Sequence, residues 1–398
     1  MHLERITIDQ LEPGMRLVSI DVPWKSNPFL LHNRIIRDAQ DIQNLKVAGV
    51  KTVTIDKSQE SEPAQPQTAS NPQSQWQPSR TLKAEVSAAK SLQQEGKKIV
   101  GQCCDDIKHN RPPLAEPLAQ VIRLTIANLA NNDETLIGLL NITPKHDKLV
   151  AHLFNVMSLT LALSSSLGCT DNEKEILGLA AFIHDAGWIR LPLNLLNKRT
   201  PYTDAEMKLI NRHTTVLSQL LQVSKGFEPS VHSLIEEHHE RLDGSGYPNQ
   251  KDSPDIHKLT KILMVADCYD EYVHGLAGHS PRPPTTVLKL LYRAARNGTF
   301  DEAIVAALIN LVNVYPINSA VELESGEVGL VVSLNRDHPL HPKVKIMYSA
   351  SGEPYDPPLY LDLLSPNSDQ CKNSIVRALD LSRPESDPAS IIDKALNA

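Results

Sequence analysis

The amino-acid sequence predicts a mainly α protein, with a helical bundle, a small N-terminal α+β domain and a C-terminal β extension. Apolar residues recur at three- and four-residue intervals through most of residues 81–315, as they do along the buried face of helices. Short runs of alternating apolar and polar residues occupy the first 58 residues. Two more alternating runs surround Ser325 and Gly326, which is typical of a β-hairpin.

The first predicted unit, residues 1–58, has the pattern of a small regulatory or interaction domain. Its predicted strands are residues 5–8, 16–20 and 50–55, and its predicted helix is residues 38–48. None of its residues has the spacing of a catalytic motif. Residues 59–80 are rich in Ser, Gln, Pro, Glu and Asn. They predict a flexible linker, because such a segment cannot bury enough apolar surface to fold.

The rest of the sequence is predicted to form three parts. Residues 81–315 are expected to form the helical domain together with the helices that lead into it, and residues 316–364 the β extension. Within that extension we expect strands at 343–348 and 359–363 in addition to the hairpin. Residues 365–398 are predicted to be a tail with one short amphipathic helix near 390–396.

Composition and charge argue against several classes of function. The 398 residues carry a net charge of -7, so electrostatics favours neither a DNA partner nor an anionic membrane surface. No uninterrupted apolar run is long enough to cross a bilayer, and the first residues do not have the pattern of a signal sequence. The five cysteines are scattered, without a Cys-x-x-Cys motif, and are expected to be reduced thiols. We therefore expect a soluble, cytoplasmic protein without membrane insertion.

Five predicted helical segments each direct a histidine or an aspartate toward the same apolar core. The residues concerned are His152, His184 with Asp185, His213, His238 with His239, and Asp267 with Asp270. A single histidine on an apolar face is more often a hydrogen-bonded core residue than a ligand. Without partners, however, burying this many ionisable groups would cost several kcal/mol for each group. The set as a whole therefore predicts bound metal ions.

The types of side chain in this set restrict the metal. Imidazole and carboxylate ligands without a thiolate suit iron or manganese, and zinc remains an alternative. Asp185 directly follows His184, so its carboxylate is placed to bridge two ions. Two ions bridged in this way can activate water against phosphate esters.

Two motifs in this chain resemble those of the HD-GYP family. One is Gly-Leu-Ala-Ala-Phe-Ile-His-Asp-Ala-Gly at 178–187, and the other is His-His-Glu-x-x-Asp-Gly-x-Gly-Tyr-Pro at 238–248. The likeness spans about residues 145–335 and includes His152, His213 and the segment 266–270. Members of this family are bacterial, metal-dependent phosphodiesterases with an HD-type helical bundle, and they hydrolyse the second messenger cyclic di-GMP. The first unit resembles a small domain of unknown role that commonly precedes HD-GYP domains.

Carried over to this sequence, the resemblance implies a site with two divalent metal ions. One ion would be held by His152, His184, Asp185 and Asp267, and the other by Asp185, His213, His238 and His239. A hydroxide between the ions would attack phosphorus, with His184 and Asp185 as the catalytic pair. Gly244, Gly246, Tyr247 and Pro248 would shape a loop beside the substrate or a protein partner. The implied product is the linear dinucleotide pGpG, with further cleavage to GMP left open.

Three positions depart from the family pattern. Trp188 stands where the family usually has a lysine that serves the phosphate. Its indole is expected to pack in the core, with stacking on a guanine base as the alternative. Arg282 is our candidate for a phosphate contact, although a solvated loop arginine is an equally good interpretation. Lys148 replaces a glutamate that binds a third metal in some members, which favours a site with two ions.

The sequence leaves three functions open. The preferred one is hydrolysis of cyclic di-GMP, because all seven ligand positions are present. The second is a catalytically weak or inactive module that binds nucleotide or a protein partner as a regulator, because Trp188 brings no charge and no base follows Thr285. The third is an HD-type phosphohydrolase with another substrate, which the Gly-Tyr-Pro motif disfavours. A diguanylate cyclase or another signalling protein is the expected kind of protein partner.

Overall fold

The computed structural model describes residues 3–13, 15–20, 34–36, 42–43, 45–46, 50–56, 80–131, 133–140, 147–196, 198, 202–276, 279–335, 338–364 and 374–379. The chain divides into two units, residues 1–73 and 74–398. The predicted linker at 59–80 lies outside the described residues except for residue 80, and so does the helix predicted near 390–396.

The first unit contains a four-stranded antiparallel sheet. Its strands are β1 (Leu3–Thr7), β2 (Arg16–Ile20), β3 (Arg34–Ile35) and β4 (Thr52–Asp56), in the spatial order β1-β4-β2-β3. Ile8, Leu11, Ile36, Val53 and Ile55 are among the residues of its small apolar core. The predicted strands are therefore confirmed with small shifts at their ends. The predicted helix at 38–48 is described only at residues 42–43 and 45–46, which are helical.

The second unit is mainly helical, as the spacing of its apolar residues predicts. Its helices are α1 (Arg80–Lys108), α2 (Ala115–Asn131), α3 (Asp133–Leu140), α4 (Lys148–Ser166), α5 (Asp171–Ile183), α6 (Leu193–Leu196), α7 (Asp204–Ile210), α8 (His213–Leu221), α9 (Pro229–Glu237), α10 (Lys258–His274), α11 (Pro284–Arg296) and α12 (Glu302–Val312). A short 3-10 turn at Ala186–Arg190 follows α5.

Helix α4 lies at the centre of this unit. It packs against α5, α10 and α1, and nearly every side chain from Ala151 to Ser164 is buried. By length and composition α4 alone among the described helices could span a membrane, but 78% of its apolar window is buried inside the protein. Its apolar surface is therefore covered by the other helices, as expected of a core helix.

Polar side chains define where several helices begin. Thr170 and Glu173 form a capping box at the start of α5, and Thr203 and Glu206 form another at the start of α7. At the start of α12, the carboxylate of Asp301 accepts hydrogen bonds from two backbone N–H groups. These caps satisfy backbone donors that have no partner within the helix, so they fix the first turn of each element.

The C-terminal part of the second unit is a five-stranded antiparallel sheet. Its strands are β5 (Ala320–Leu323), β6 (Val328–Ser333), β7 (Lys343–Tyr348), β8 (Pro354–Asp362) and β9 (Ile375–Ala378), in the order β8-β7-β6-β5-β9. The predicted hairpin is confirmed, with Ala320 opposite Leu330 and Val321 opposite Gly329. The prediction that residues 365–398 form a tail is wrong in one respect. Strand β9 lies within these residues, pairs with β5 and extends the sheet.

Candidate metal centre

Five stretches of the second unit bring histidine and aspartate side chains to one buried point. His152 lies on α4, Asp267 lies on α10, and His213 opens α8. Two adjacent pairs, His184 with Asp185 and His238 with His239, directly follow α5 and α9. All seven side chains are buried or nearly so. The chain thus directs its ionisable groups inward from the ends and middles of separate helices.

The seven residues form two groups that share Asp185. One group is His152, His184, Asp185 and Asp267, and the other is Asp185, His213, His238 and His239. Within each group, one potential ligand atom from each residue lies within 4.8 Å of the others. The two groups contain the same residues as the two sets that the family resemblance implied. A carboxylate common to both groups is the arrangement needed to bridge two cations.

The two oxygens of Asp185 face different histidines. Its Oδ1 lies 3.1 Å from Nε2 of His213 and 3.3 Å from Nε2 of His238. Its Oδ2 lies 3.5 Å from Nε2 of His152 and 3.7 Å from Nε2 of His184. Each oxygen therefore belongs to one group.

Asp267 closes the first group. Its Oδ1 lies 3.2 Å from Nε2 of His152 and 3.2 Å from Nε2 of His184. These two Nε2 atoms are themselves 3.2 Å apart. Two imidazole nitrogens and two carboxylate oxygens thus converge within the reach of a single ion, since metal–ligand distances are about 2 Å.

Backbone carbonyls set the orientation of three imidazoles. The Nδ1–H of His184 donates to the carbonyl of Ala181 (2.9 Å), and those of His213 and His238 donate to carbonyls three residues earlier (2.7 Å each). A carbonyl can only accept, so Nδ1 carries a proton and Nε2 is the ring nitrogen directed toward the centre. This is the usual outer support of a metal-binding histidine.

His152 is held by a carboxylate instead. Its Nδ1 lies 2.8 Å from Oδ2 of Asp270, whose Oδ1 accepts from Nδ2 of Asn155 at 2.9 Å. His274 also contacts this Oδ1, through its Nδ1 at 2.9 Å. Asp270, which the sequence placed among the inward residues, therefore positions His152 rather than joining either group.

The electrostatics of the cluster keeps its carboxylates charged. Burial by itself would raise the pKa of Asp185 and of Asp267, but the surrounding histidines hold both pKa values well below the ordinary range. Burial lowers the pKa of His238, and burial together with the neighbouring His238 lowers that of His239 further. These imidazoles are therefore neutral and have a lone pair available at physiological pH.

Several buried atoms of the cluster make no hydrogen bond within the described structure. They are Oδ1 of Asp185, Oδ2 of Asp267, and Nε2 of His213, His238 and His239. Buried polar atoms without partners are rare in folded proteins because each costs free energy. These five belong to the two groups, so the donor set fits divalent cations, which would satisfy all of them at once.

A cavity of about 340 Å³ adjoins the cluster. Asp185 and His239 form part of its wall, and aromatic side chains form much of the rest, including Trp188, Tyr202 and Tyr247. A mostly apolar wall with a few convergent polar groups is typical of a site for a small molecule. The size is at the small end of such sites, so a dinucleotide would be only partly enclosed.

The chain matches known families along most of its length. Residues 111–304 match an HD domain family, residues 3–118 a domain of unknown function (DUF3391), and residues 320–383 a KOW domain associated with HD domains. The HD match covers the helices that carry both groups and the His-His-Glu-x-x-Asp-Gly-x-Gly-Tyr-Pro motif. Residues 111–304 are therefore similar to HD domains, and the motif within them resembles that of HD-GYP proteins.

The named relatives of the chain are phosphodiesterases. It is 29% identical to "Cyclic di-GMP phosphodiesterase PA4108" of Pseudomonas aeruginosa, over 91% of this chain and 89% of the relative. It is 34% identical to "Cyclic di-GMP phosphodiesterase response regulator RpfG" of Xanthomonas campestris, over 37% of this chain but only 39% of that protein. Among solved structures, Bd1817, a HDG"Y"P protein from Bdellovibrio bacteriovorus, matches with a TM-score of 0.48 and 17% identity, covering 77% of this chain and 98% of that one.

Trp188 both packs in the core and lines the cavity. Its side chain is 4% exposed and packs with Leu191, Leu195 and Ile210. The indole centroid lies 5.4 Å from that of His213, a member of the second group. The expected packing role is therefore seen. Stacking on a base stays a prediction, which the position at the cavity wall permits.

The loop after His239 is held by the residue that follows the histidine pair. The carboxylate of Glu240 accepts hydrogen bonds from the backbone N–H groups of Asn249 (2.7 Å) and Lys251 (3.0 Å). The carboxylate of Glu240 therefore closes the loop. Tyr247 stacks on His239, with centroids 4.7 Å apart, and lines the cavity.

The other loop residues that the sequence singled out have structural positions. A Cβ on Gly246 would overlap the backbone of Glu240 and Arg241, so only glycine allows the loop to fold back there. Gly244 has a φ of 75°, in the left-handed region that favours glycine. Neither these glycines nor Pro248 is among the described residues that line the cavity. Their role beside a substrate stays a prediction.

Arg282 is exposed at the start of the α11 region. Its guanidinium lies 4.9 Å from the centroid of the Tyr272 ring, and Tyr272 lines the cavity. Arg282 itself is not among the described residues of the cavity wall. The expected phosphate contact from Arg282 therefore stays a prediction, in competition with the solvated position that the structure shows.

Two charged residues of the cavity were missed by sequence reasoning. Arg241 lies inside the loop motif, three residues after His238, and lines the cavity. Glu271 lies one helical turn after Asp267 on α10, and its side chain is 14% exposed. Burial, then Asp267 and Asp185, raise the pKa of Glu271 to about 8. The one-turn spacing after Asp267 was the only sequence signal for Glu271.

Proposed function

We propose that this protein is a metal-dependent phosphodiesterase that hydrolyses cyclic di-GMP to the linear dinucleotide pGpG, in bacterial second-messenger signalling. The observation that carries the proposal is the position of Asp185, whose two oxygens face two separate groups of ligands. A carboxylate bridge between two cations is the arrangement used to cleave phosphate esters with water. The substrate is that of the relatives named as cyclic di-GMP phosphodiesterases.

Two sets of residues would hold the two ions that this reaction uses. His152, His184, Asp185 and Asp267 would hold one ion, and Asp185, His213, His238 and His239 the other. When bound, the ions supply positive charge for the phosphate and lower the pKa of bound water. The carbonyls behind His184, His213 and His238 fix the imidazoles in place, so little reorganisation is needed during the reaction.

The cavity wall would position the rest of the substrate. Trp188, Tyr202 and Tyr247 present aromatic surface on which a guanine base can stack. Since Asp185 and His239 line the same cavity, a base bound there would lie beside the phosphate to be cleaved. The apolar surroundings also reduce the access of bulk water, which strengthens the electrostatic interactions in the site.

The ligand types favour iron or manganese, with two ions for each chain. Five imidazoles and two carboxylates without a thiolate form a set of intermediate softness. We also infer a cytoplasmic location, where thiols such as the buried Cys103, Cys104 and Cys268 stay reduced.

The experiment that tests this function is turnover of cyclic di-GMP by protein purified without oxygen and supplied with iron(II) or manganese(II). The double variant His184→Ala/Asp185→Ala serves as the blank, because it removes ligands from both groups. Formation of pGpG by the wild type alone is expected. Intact cyclic di-GMP after incubation with protein that carries two bound ions would refute the phosphodiesterase.

A second function is favoured by one specific observation, the buried indole at position 188. A catalytically weak module that binds nucleotide as a regulator would keep both groups of ligands yet lack a cationic side chain at position 188. Tight binding of cyclic di-GMP without product would identify this function. A diguanylate cyclase or another signalling protein would then be the partner to seek by co-purification.

A further inference from the structure

Arg241 is held rigidly at the wall of the cavity. Its Nη1 donates to the carbonyl oxygens of Glu240 (2.7 Å) and His238 (3.3 Å). Its guanidinium also lies 5.0 Å from the centroid of the Phe300 ring, on which it stacks as a cation. The side chain is therefore oriented before any ligand arrives, which reduces the entropy that binding would cost.

Much of the hydrogen-bonding capacity of Arg241 is not used inside the protein. In the described part of the chain, no carboxylate lies within 4.0 Å of its guanidinium, and neither Nε nor Nη2 has an acceptor. Among the described residues that line the cavity, Arg241 is also the only lysine or arginine. An arginine fork without a carboxylate partner is suited to a phosphate, which it can bind through two parallel hydrogen bonds.

A cyclic dinucleotide presents two phosphodiester groups to this cavity. The ions of the proposed site would neutralise the one that is cleaved, but the second phosphate would lie near Asp185 and aromatic rings. Like charges within such a site repel strongly because solvent screening is weak there. A cation is needed for the second phosphate, and neither the indole of Trp188 nor the exposed Arg282 supplies one at the wall.

We propose that Arg241 binds the phosphate of the cyclic dinucleotide that is not cleaved. The proposal rests on the proposed function for the identity of the ligand. It makes Arg241 a residue that distinguishes substrates with two phosphates from simple phosphodiesters. Its position two residues after His239 couples this contact to the metal centre through the same turn.

The test compares two substrates and three variants in metal-loaded, full-length protein. Cyclic di-GMP has two phosphates, whereas bis(p-nitrophenyl) phosphate has one and reports on the metal centre alone. Arg241→Gln removes the charge, Arg241→Lys keeps the charge without the fork, and Arg293→Gln changes an exposed arginine of α11 as the matched control. Bound metal and thermal unfolding are measured for each variant to confirm a native site.

The expected result is that Arg241→Gln loses activity selectively with cyclic di-GMP, the larger substrate. The KM for cyclic di-GMP rises roughly 10- to 100-fold in Arg241→Gln, the range for a hydrogen bond to a charged group, while kcat/KM for bis(p-nitrophenyl) phosphate stays within about twofold. Arg241→Lys should recover part of the loss, and it provides the test if Arg241→Gln does not fold. Arg293→Gln should match the wild type with both substrates.

Other outcomes separate this proposal from the proposed function. If the wild type binds cyclic di-GMP without cleaving it, calorimetric Kd values that rise in Arg241→Gln would uphold the contact although the phosphodiesterase is refuted. An unchanged KM and Kd in Arg241→Gln would overturn the contact and leave the phosphodiesterase standing. Equal losses with both substrates would also overturn it, since Arg241 would then act through the metal centre.

Discussion

The indole of Trp188 contacts both an apolar cluster and the candidate metal centre. It fills a small apolar cluster with Leu191, Leu195 and Ile210, and its ring lies beside His213. The Nε1 of the indole has no hydrogen-bond partner in the described structure. A polar atom left unsatisfied in this way costs free energy, so the large apolar contact area must outweigh it.

Because of this packing, Trp188→Lys is expected to destabilise the protein rather than to improve catalysis. Loss of the buried ring, together with an ammonium group at the edge of the core, should lower the free energy of unfolding by about 2–4 kcal/mol. Trp188→Phe keeps an aromatic ring and should lose about half as much. Urea unfolding of metal-free protein, followed by far-ultraviolet circular dichroism, measures both. A Trp188→Lys protein as stable as the wild type would show that the indole does not support this cluster.

Glu271 lies close to charges of its own sign. Its carboxylate faces the cavity near Asp267 and Asp185, and its only nearby ion-pair partner in the described structure is His279, 3.3 Å away. The pKa of Glu271 is about 8, raised by burial first and by Asp267 and Asp185 next. In the unfolded chain the carboxyl ionises near pH 4.5. Between these values the folded protein binds one proton more than the unfolded chain.

Stability of the metal-free protein should therefore fall as pH rises from about 5 to 8, and Glu271→Gln should remove this part of the loss. We expect the variant to gain about 1–3 kcal/mol over the wild type at pH 8 and nothing below pH 4.5. Thermal unfolding in a chelator across this range provides the measurement. Added manganese(II) should reduce the difference, because bound cations favour the ionised carboxylate.

Glu173→Gln is the control with the opposite sign. Lys258 and the backbone of Thr170 lower the pKa of Glu173 to about 2. The stability that ionised Glu173 contributes is thus present at neutral pH and is lost as pH falls from 4.5 to about 2. A difference between Glu271→Gln and the wild type that does not depend on pH would contradict the assignment of the effect to ionisation of Glu271.

At the scale of elements, the ends of helices carry most of the candidate site. His184, His213 and His238 lie at helix boundaries, where each Nδ1 reaches a carbonyl of the preceding turn. The short turn at Ala186–Arg190 lies directly against the start of α8. Gly187 makes this approach possible, because a Cβ there would overlap the carbonyl oxygen of His213. The glycine of the His-Asp-x-Gly motif is thus a packing requirement for a neighbouring ligand.

Gly187→Ala should therefore disturb the second group more than the first. The added methyl group must push α8 away and move His213, which weakens metal binding by roughly 10- to 100-fold, the range for lost support of a ligand. Gly101→Ala is the matched control. Gly101 lies within α1, and a Cβ there would meet only Val150, at 3.9 Å. That control should be neutral or more stable by about 0.5–1 kcal/mol.

Metal content after dialysis, measured by mass spectrometry, tests the comparison of the two glycines. Gly187→Ala is expected to retain about one ion for each chain under conditions in which the wild type and Gly101→Ala retain two. Equal metal content in all three proteins would show that the turn tolerates a side chain next to His213.

Sequence periodicity was sufficient to predict the elements that bury one face, and to predict which side chains lie on that face. His152, Leu159 and Leu163 share a stripe of α4, so the inward direction of His152 follows from the helical repeat. Arg241 and Glu271 could not be found in this way, because their contact with the cavity depends on how separate elements meet. The contacts of Glu240 could not be predicted for the same reason, since its partners lie 9 and 11 residues away in a folded loop.

The limits of local patterns are clearest in the molecule as a whole. The hairpin of β5 and β6 was predicted because both alternating runs flank one turn. β9 was missed because it pairs with β5, more than 50 residues earlier, and has no regular alternation of burial. Asn318 then ties the β extension to the helical domain by donating to the carbonyl of Gly138 at 2.8 Å.

Family boundaries and physical boundaries also differ at α1. The DUF3391 match covers residues 3–118 and the HD domain match begins at residue 111, so by family α1 belongs to the N-terminal domain. In the structure, α1 packs against α2, α3 and α4 within the second unit. Ala89, Val100, Cys103 and Ile107 of α1 are buried in the same apolar core as α4.

We therefore expect residues 74–398 to fold without the first unit and residues 111–398 to fail. Removal of α1 would expose the core side of α4, including Phe154, against which Gly96 packs closely. Exposing a face of this size should cost more than the roughly 5–15 kcal/mol by which domains are stable. Soluble yield, cooperative thermal unfolding and bound metal are the readouts for the two truncations. A stable, metal-binding 111–398 protein would show that α1 is an accessory of the N-terminal domain and no part of the HD core.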